Sequence, residues 1–483
     1  MTAISAPAPL AGLQPHRWRW PALGVILAAE VMDMLDALIT TIAAPTIRQD
    51  LGGGEESLVQ WLGAGYTLAM AVGLITGGRL GDLLGRKRMF LIGAAGFTLM
   101  SLLCGLSAGP ELLIAGRALQ GLFGAVMLPQ GLGMIKEMFP PEEMGKAFGA
   151  FGPVMTISSV GGPILGGWLV DADLFGAGWR MIFLINLPLG LAAVLAGIKF
   201  LPEIRLSDST RLDLVGVLLV SAAGFLLIYP LIQGPELDWP AWTFASIAAS
   251  LVTFAVFAAH ESRRARSGKD PLVTPSLFRK RAFTGGLVAG LAFFSGLIGF
   301  SLVLTLFTQV GLHYSPLKAG LTALPQALGA VAGFGVAMSG LQEKLGRGLL
   351  QIGAVVMAAG AAVFGVTVHL TGLDVSPWQL APGLAIAGVG MGMIMAPFFD
   401  IVLAGVDHHE SGSASGTLTA VQQLGAALGT AVLGTLFFHL LKARWSFGSA
   451  MQATVWVEVG LLGLTLALSF LLPLRARPDQ PAH

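Results

Sequence analysis

Residues 78–88 read Gly-Arg-Leu-Gly-Asp-Leu-Leu-Gly-Arg-Lys-Arg, and they join two long apolar stretches. Five charges fall within ten residues here, in a chain of which 11% of residues are charged and 54% are hydrophobic. Such a turn is hard to explain in a soluble protein, where roughly a quarter of all residues are charged. It indicates a tight cytoplasmic turn between two membrane-spanning helices, because basic residues mark that side of a membrane protein.

The composition of the whole chain indicates an integral membrane protein. The mean hydropathy is +0.77 over 483 residues, and apolar runs recur that are long enough to cross a hydrocarbon core of roughly 30 Å. The formal net charge of +1 gives no reason to expect nucleic acid as a partner. The one cysteine, Cys104, lies in an apolar run, so no disulfide forms within the chain.

The apolar runs predict an all-α integral membrane protein with fourteen transmembrane helices. They lie at 20–47, 58–79, 88–107, 111–135, 145–170, 178–201, 212–233, 240–260, 282–310, 317–340, 348–372, 378–405, 414–440 and 450–473. Of the 28 Lys and Arg residues, 22 then fall on one side of the membrane, whereas the loops on the other side hold eight acids and few basic residues. This bias predicts that both termini are cytoplasmic.

Two basic segments, 202–211 and 261–281, bracket the seventh and eighth helices and suggest a plan of six, two and six helices. These segments also fit a simpler interpretation, in which they only orient the protein and touch anionic lipid. The sequence predicts five units: an N-terminal tail (1–18), a first six-helix bundle (19–201), two additional helices with basic cytoplasmic linkers (202–281), a second six-helix bundle (282–473) and a C-terminal tail (474–483).

The charged turn at 78–88 has a counterpart at 339–347, which follows the tenth helix as the first turn follows the second. Two homologous halves of this kind are typical of transporter repeats. Glycine permits tight turns and close backbone approach, and a carboxylate beside a helix terminus favours one conformation. We therefore predict a conformational latch, although these residues could only determine the turn and the topology. Its residues are Gly78, Asp82, Gly85, Arg86, Glu343 and Arg347.

Three acids lie inside the first predicted helix. Glu30, Asp33 and Asp36 are spaced by three residues, so Asp33 and Asp36 are about 60° apart around the helix and both can face one cavity. Carboxylates near the middle of a membrane are costly and usually functional. We predict that Asp33 and Asp36 couple transport to protons, and that Glu30 lies at a cavity mouth. The alternative is a carboxylate satisfied by hydroxyl groups or by Arg117.

Arg117 and Gln120 begin the fourth predicted helix, with Arg117 roughly 9 Å from its outer end. A cation at this depth needs a wet cavity or an acid, so we assign it to proton coupling; extension of its side chain to the outer interface is the alternative. Gln120, Asp400 and Glu458 join Glu30 as candidates for the substrate cavity. For Asp400 an interfacial or gating role competes evenly.

A cluster of small residues and one proline falls late in the fifth predicted helix: Gly162, Pro163, Gly166 and Gly167. Proline removes a backbone donor and disturbs a helix, and small residues spaced by four permit close contact with another helix. This pattern predicts a bend or a tight seam along the transport path, with plain helix packing as the alternative.

Several kinds of function lack any signal. Residues 407–410, Asp-His-His-Glu, contain metal-ligand residue types, but no distant partner is evident, so we expect no metal site. The chain has no GxxxxGK[ST] nucleotide loop and no HExxH or GxSxG motif. We therefore expect neither an enzyme nor a cofactor, and the proton gradient is the expected source of energy.

The order of these motifs resembles the fourteen-helix drug:proton antiporter family of the major facilitator superfamily. Beyond the motifs above, the resemblance rests on 36–47 in the first helix, 179–190 at the sixth, and 413–425 at the thirteenth. It is strong over 20–200 and looser beyond 282. Thr41 and Ala43 depart from the pattern, as does Glu343, which stands where an aspartate is usual.

The resemblance implies a multi-pass protein of the cell membrane that exports small molecules in exchange for protons. Asp36 would be its membrane acid, Arg117 its helix-four arginine, and Gly162-Pro163 its antiporter motif. Its substrates would be lipophilic drugs or natural products, cationic or neutral, and its helices would be embedded in the lipid bilayer. A proton-coupled importer or metabolite exchanger is the alternative; a membrane sensor or enzyme is disfavoured by the short loops. The sequence carries no signal for the oligomeric state.

Overall fold

A computed structural model describes residues 17–51, 56–140, 143, 147, 151–203, 213–234, 237–269, 271–403, 406 and 411–474. Within these ranges all regular secondary structure is helical, and no β-strand forms. Residues 407–410, most of both predicted tails and most of the linker at 202–211 lie outside the described residues, as does the side chain of Asp82.

The long helices follow one another with short connections. They are α1 Arg19–Asp50, α2 Glu56–Leu84, α3 Arg86–Gly105, α4 Pro110–Met138, α5 Phe151–Asp171, α6 Asn186–Phe200, α7 Leu214–Gln233, α8 Ala241–Arg266, α9 Arg281–Leu306, α10 Pro316–Val336, α11 Arg347–Thr371, α12 Pro377–Leu403, α13 Ser411–Lys442 and α14 Phe447–Ser469. A short helix, Met181–Leu184, precedes α6, and another, Gln342–Leu345, precedes α11.

Eleven helices in the described part of the chain are long and apolar enough to cross a membrane. Helices α1, α2 and α5 are not among them. In α1 the three acids lower the hydropathy, although the helix packs against α5 and α6. The structure therefore establishes a multi-helix, all-α membrane architecture, and the number of fourteen spans stays a prediction.

Local sequence explains where the helices begin and end. Gly85, at φ 98°, separates α2 from α3, and Gly346, at φ 50°, stands directly before α11. Both conformations lie in the region that favours glycine, and the two glycines occupy matching places in the repeated charged turns. Side chains cap other helices, since Ser315 accepts a hydrogen bond at the start of α10 and Ser446 does so at α14.

The helices pack into two groups and a pair. Helix α4 lies against α2 and α3, and α1 lies against α5 and α6. In the second group α12 lies against α10 and α11, and α9 lies against α13 and α14. The groups meet where α2 contacts α13 and where α5 contacts α10. Helices α7 and α8 pack on each other, and α7 also contacts α2 and α13.

In the described part of the chain, the largest apolar cluster that the two groups share lies at one end, and a smaller one joins α2 to α13 beside α7. We name the end that carries Asp50 and Asp171 the acidic end, and the opposite end, with the charged turns, the basic end. One apolar cluster at the acidic end joins the groups through residues such as Ile39 and Phe300. Towards the basic end each group has a separate cluster, one around Phe97 and one around Phe398. The acidic end is therefore the more tightly closed.

Candidate functional site

A buried polar network lies between α1, α3, α4 and the start of α6. Asp36 and Arg117 are each 1% exposed, and Nη1 of Arg117 donates to Oδ2 of Asp36. The other Asp36 oxygen accepts hydrogen bonds from Gln120 (3.0 Å) and Asn186 (2.7 Å). Gln120 and Asn186 also both donate to the hydroxyl of Ser101, at 3.0 and 2.9 Å. Each ionic group thus has several partners, which offsets the cost of burial.

Aromatic rings enclose the guanidinium group of Arg117. Its Cζ atom lies 4.2 Å from the centre of the Tyr66 ring and 5.8 Å from that of Phe183. A cation over an aromatic face is attracted to the ring quadrupole, more strongly where water is excluded. The arrangement also fixes the direction of the arginine, whose Nε donates to the carbonyl of Leu62 at 3.3 Å.

Asp33 lies one helical turn before Asp36 in a different environment. It is only half-buried, and its Oδ1 atom accepts a hydrogen bond from the Tyr66 hydroxyl. A methyl group added at Gly124 would lie 3.1 Å from the same oxygen, so α4 passes close to it. Tyr66 therefore connects the two acids. Its hydroxyl donates to Asp33, and its ring covers Arg117, which pairs with Asp36.

The structure separates the four residues assigned from sequence to a substrate cavity. Gln120 is fully buried in the polar network, whereas Glu30 is half-buried on α1, one turn before Asp33. Asp400 is exposed at the end of α12, where its carboxylate accepts a hydrogen bond from Gln342 of the second charged turn. Glu458 is 1% exposed inside the second group of helices.

The charged turns make different contacts in the two halves. Nε of Arg86 lies 3.5 Å from the carboxylate of Glu137 on α4. In the second half, Nη1 of Arg347 instead donates to backbone carbonyls just beyond the end of α14, to Leu472 at 2.6 Å and Phe470 at 3.1 Å. Both arginines thus hold the basic end of a neighbouring helix, one through an acid and the other through the backbone.

The other predicted latch residues frame these arginines. A methyl group at Gly78 would lie 3.8 Å from Pro129 of α4, and the neighbouring carbonyl of Gly77 accepts a 2.7 Å hydrogen bond from Gln130. Glu343 is exposed. Helices α2 and α4 therefore approach each other closely just before the first charged turn.

The small residues of α5 lie against two other helices. A methyl group at Gly162 would lie 3.0 Å from Leu38, and one at Gly166 would lie 3.0 Å from the Cα atom of Ile39. A methyl group at Gly167 would lie 2.5 Å from the Cα atom of Leu317 on α10. Helix α5 is thus pressed between α1 of its own group and α10 of the other.

The α5–α10 contact forms the seam between the two groups at the acidic end. The space at Gly320 is filled by the carbonyl group of Pro163, and the carboxylate of Asp171 accepts a 3.1 Å hydrogen bond from the backbone N–H of Leu317. Gln309 donates across the groups to the carbonyl of Ile42 at 2.6 Å.

The space behind the seam is small. A cavity of about 40 Å³ lies between α1, α5, α9 and α10, which is room for a few water molecules, since each needs about 10–15 Å³ in this measure. Thr41, Thr305 and Gln326 contribute polar groups to its wall. This volume is far below the roughly 300–1,000 Å³ of a typical small-molecule pocket.

Sequence reasoning missed three members of the polar network. Tyr66 is one of three tyrosines in the chain and interrupts an apolar helix. Ser101 and Asn186 are likewise isolated polar residues in apolar runs. Buried polar side chains in apolar helices require partners, so this isolation was the available signal, but it does not say which partner each residue finds.

Comparisons with known proteins agree with these features. A family model described as the Major Facilitator Superfamily matches residues 26–430. The chain is 51% identical to a protein named probable actinorhodin transporter from Streptomyces coelicolor, over 93% of this chain and 76% of that protein. It is 34% identical to the tetracenomycin C resistance and export protein of Streptomyces glaucescens, over 89% and 78% of the two chains.

A third relative is the puromycin resistance protein pur8 of Streptomyces alboniger, which is 35% identical over 95% of this chain and 89% of its own length. Among solved structures, a POT family peptide transporter superposes with a TM-score of 0.68 over 95% of this chain and 99% of the other, at 14% identity. This likeness concerns the fold alone.

Proposed function

Because the chain belongs to the Major Facilitator Superfamily, we propose that it exports small lipophilic molecules in exchange for protons by alternating access. It is a multi-pass protein of the cell membrane, and its relatives export or confer resistance to antibiotics. The observation that carries the proposal is the pairing on α1 of a half-buried acid, Asp33, with a fully buried ion pair, Asp36–Arg117.

The two acids suit different tasks. Both oxygens of Asp36 are engaged, one by Arg117 and the other by Gln120 and Asn186, so a proton can reach them only when the network opens. Asp33 is more accessible and is held by the Tyr66 hydroxyl. We assign proton exchange to Asp33, and we assign to Asp36 and Arg117 the role of holding α1 against α4.

The proposed topology has fourteen spans in the order six, two and six, with both termini in the cytoplasm. Under this topology the acidic end faces outside, and the closed seam between α5 and α10 blocks the outer side. Export then requires the seam to open after substrate has bound from the cytoplasmic side. The charged turns at the basic end close in that step and hold the outward-open conformation.

For the substrate we propose lipophilic antibiotics of the kinds named for the relatives, with actinorhodin, tetracenomycin C and puromycin as the first to test. Glu30, one turn from Asp33, would meet a cationic substrate, and the apolar surfaces of α9 and α10 would meet a neutral one. A proton-coupled importer of the same fold is the second candidate, which the direction of transport distinguishes.

The deciding experiment measures proton release from energised inverted vesicles when each compound is added. We expect a response in the wild type that is lost in Asp33→Asn, because asparagine cannot exchange a proton, and reduced in Tyr66→Phe. The matched control is Asp374→Asn, since Asp374 is an exposed acid at the acidic end.

Purified variants are first compared by size-exclusion chromatography, so that a loss of fold is separated from a loss of coupling. A response that Asp33→Asn leaves intact contradicts the assignment of the coupling acid. Proton uptake linked to inward substrate movement in right-side-out vesicles would favour the importer.

A further inference from the structure

The two additional helices bring together three side chains that the transport proposal does not use. Asp213 stands directly before α7, while His260 and Glu261 lie in the last turns of α8. Nε2 of His260 lies 3.0 Å from Oδ1 and 2.9 Å from Oδ2 of Asp213. One nitrogen or oxygen atom from each of the three residues lies within 4.8 Å of the others.

One buried oxygen of this group has no hydrogen-bond partner among the residues that the structure describes. Glu261 is 3% exposed and Asp213 is 4% exposed. Oε2 of Glu261 accepts a 2.9 Å hydrogen bond from the backbone N–H of Val273, whereas Oε1 is left unpaired. A buried carboxylate oxygen without a donor is costly, so a proton or a cation is expected to bind it.

The unpaired oxygen points towards Asp213 over a glycine. A methyl group built on Gly216 would lie 2.7 Å from Oε1 of Glu261 and also 2.7 Å from Oδ2 of Asp213. The two oxygens therefore converge on one small space, which only a residue without a side chain leaves free. The other oxygen of Asp213, Oδ1, caps α7 by accepting a 3.1 Å hydrogen bond from the N–H of Gly216.

We propose that Asp213, His260 and Glu261 form a binding site for a divalent metal ion of the zinc type. One imidazole nitrogen and two carboxylate oxygens are a ligand set that zinc accepts. Ligand atoms about 2.0–2.2 Å from a tetrahedral ion lie roughly 3.3–3.6 Å apart. Nε2 of His260 and Oδ2 of Asp213, now 2.9 Å apart, would therefore have to separate by only about 0.5 Å to bind one ion. The proposal is independent of the transported substrate.

Arg264 is the competing cation at this site. Its Nε atom lies 3.1 Å from Oδ2 of Asp213, so metal affinity reflects the exchange of a guanidinium contact for a metal contact. If the cluster is a metal site, removal of the Arg264 side chain should tighten metal binding. If the cluster is only a set of salt bridges, the same change should loosen it.

The position of the site suggests what the ion would do. Glu261 holds the backbone of Val273, and Arg79 of the first charged turn donates to the carbonyl of Pro271 in the same segment at 3.4 Å. A metal ion would thus join α7 and α8 to the segment that leads into α9, beside the basic end of α2. It would restrain this side of the protein while the two groups move.

The test uses the full-length protein in detergent with its affinity tag removed. Zn²⁺ is titrated in competition with a chromophoric chelator, and Co²⁺ is added separately as a spectroscopic probe of the ligand geometry. We expect one ion per chain in the wild type, and a loss of affinity of about tenfold or more in Asp213→Asn and in Gly216→Ala. Arg264→Gln should bind Zn²⁺ more tightly, and His369→Gln is the matched control.

The variants are chosen to preserve the fold. Asp213→Asn keeps the oxygen that caps α7, and alanine at 216 is a good helix former, so neither should unfold the protein. Wild-type protein that binds no Zn²⁺, as expected if the two carboxyl groups share a proton, overturns the proposal without any variant. Equal binding by wild type, Asp213→Asn and Gly216→Ala overturns it as well.

Discussion

In the first half of the molecule Asp36 is buried with three side-chain partners, whereas in the second half Glu458 is buried with one carboxylate oxygen unpaired among the described residues. Helix α1 carries three acids in its interior, Glu30, Asp33 and Asp36, while α9, which begins the second half, has no charged residue after Arg281. The first half therefore concentrates the polar chemistry, and the second presents a mainly apolar α9 to it.

The largest effect is expected from breaking the buried Asp36–Arg117 ion pair of the first half. Arg117→Gln leaves Asp36 buried without its cation, and loss of one partner of a buried ion pair costs about 3–5 kcal/mol. We expect a large drop in thermal stability in detergent and no transport. The double variant Asp36→Asn with Arg117→Gln should recover much of the stability but not the activity; recovery of transport would contradict the role given to the pair.

The seam between the halves gives the next largest effect. Valine at Gly320 collides with the carbonyl of Pro163, and overpacking of this kind costs about 1–3 kcal/mol. We expect Gly320→Val to favour separation of α5 from α10. In a Cys104→Ser background, Ser301→Cys on the cavity wall should then react faster with an impermeant thiol reagent added from outside.

The matched control is Gly335→Val on the same helix, because a methyl group at Gly335 has no neighbour within 4 Å in the described structure. Equal labelling in the two variants would show that the seam does not close the outer side.

A smaller effect is expected from the unpaired acid of the second half. Glu458→Gln breaks no ion pair among the residues that the structure describes, so the change in unfolding free energy should stay within about 1 kcal/mol, and transport should persist. The unfolding free energy and the transport activity of Glu458→Gln are measured in parallel with those of Arg117→Gln, so that the two halves are compared directly. A loss of proton coupling in Glu458→Gln would place part of the coupling in the second half.

The smallest effect concerns the rim of the acidic end. Hydrogen bonds from Trp179 (2.8 Å) and Arg180 (2.9 Å) lower the pKa of Asp50. A carboxyl whose pKa is lowered by folding stabilises the protein above its unfolded pKa, and this contribution disappears as the pH falls through the folded value.

Asp50 is about half-exposed, and exposed pairs contribute about 0–1 kcal/mol. Asp50→Asn should therefore lower the melting temperature slightly at neutral pH and not at strongly acidic pH. An equal decrease at both pH values would contradict this account.

Much of the architecture follows from local pattern. The charged turn at 78–88 and its repeat at 339–347 each contain a glycine with positive φ between two helices, and the family predicted from the motifs is confirmed by the match over residues 26–430. The cavity residues were harder to infer. Gln120 lies in the ion-pair network and Asp400 on the surface, because helical position alone does not tell which side of a helix another helix will cover.

The sequence by itself determined that this is a multi-helix membrane protein with acids inside its first helix, since hydropathy and spacing are properties of short stretches of chain. Only the tertiary structure decided that Arg117 pairs with Asp36, 81 residues away, rather than with Asp33. It also decided that Asp213 meets His260, 47 residues away. The physical reason is that such pairings depend on how packed helices are rotated against one another, which no local pattern specifies.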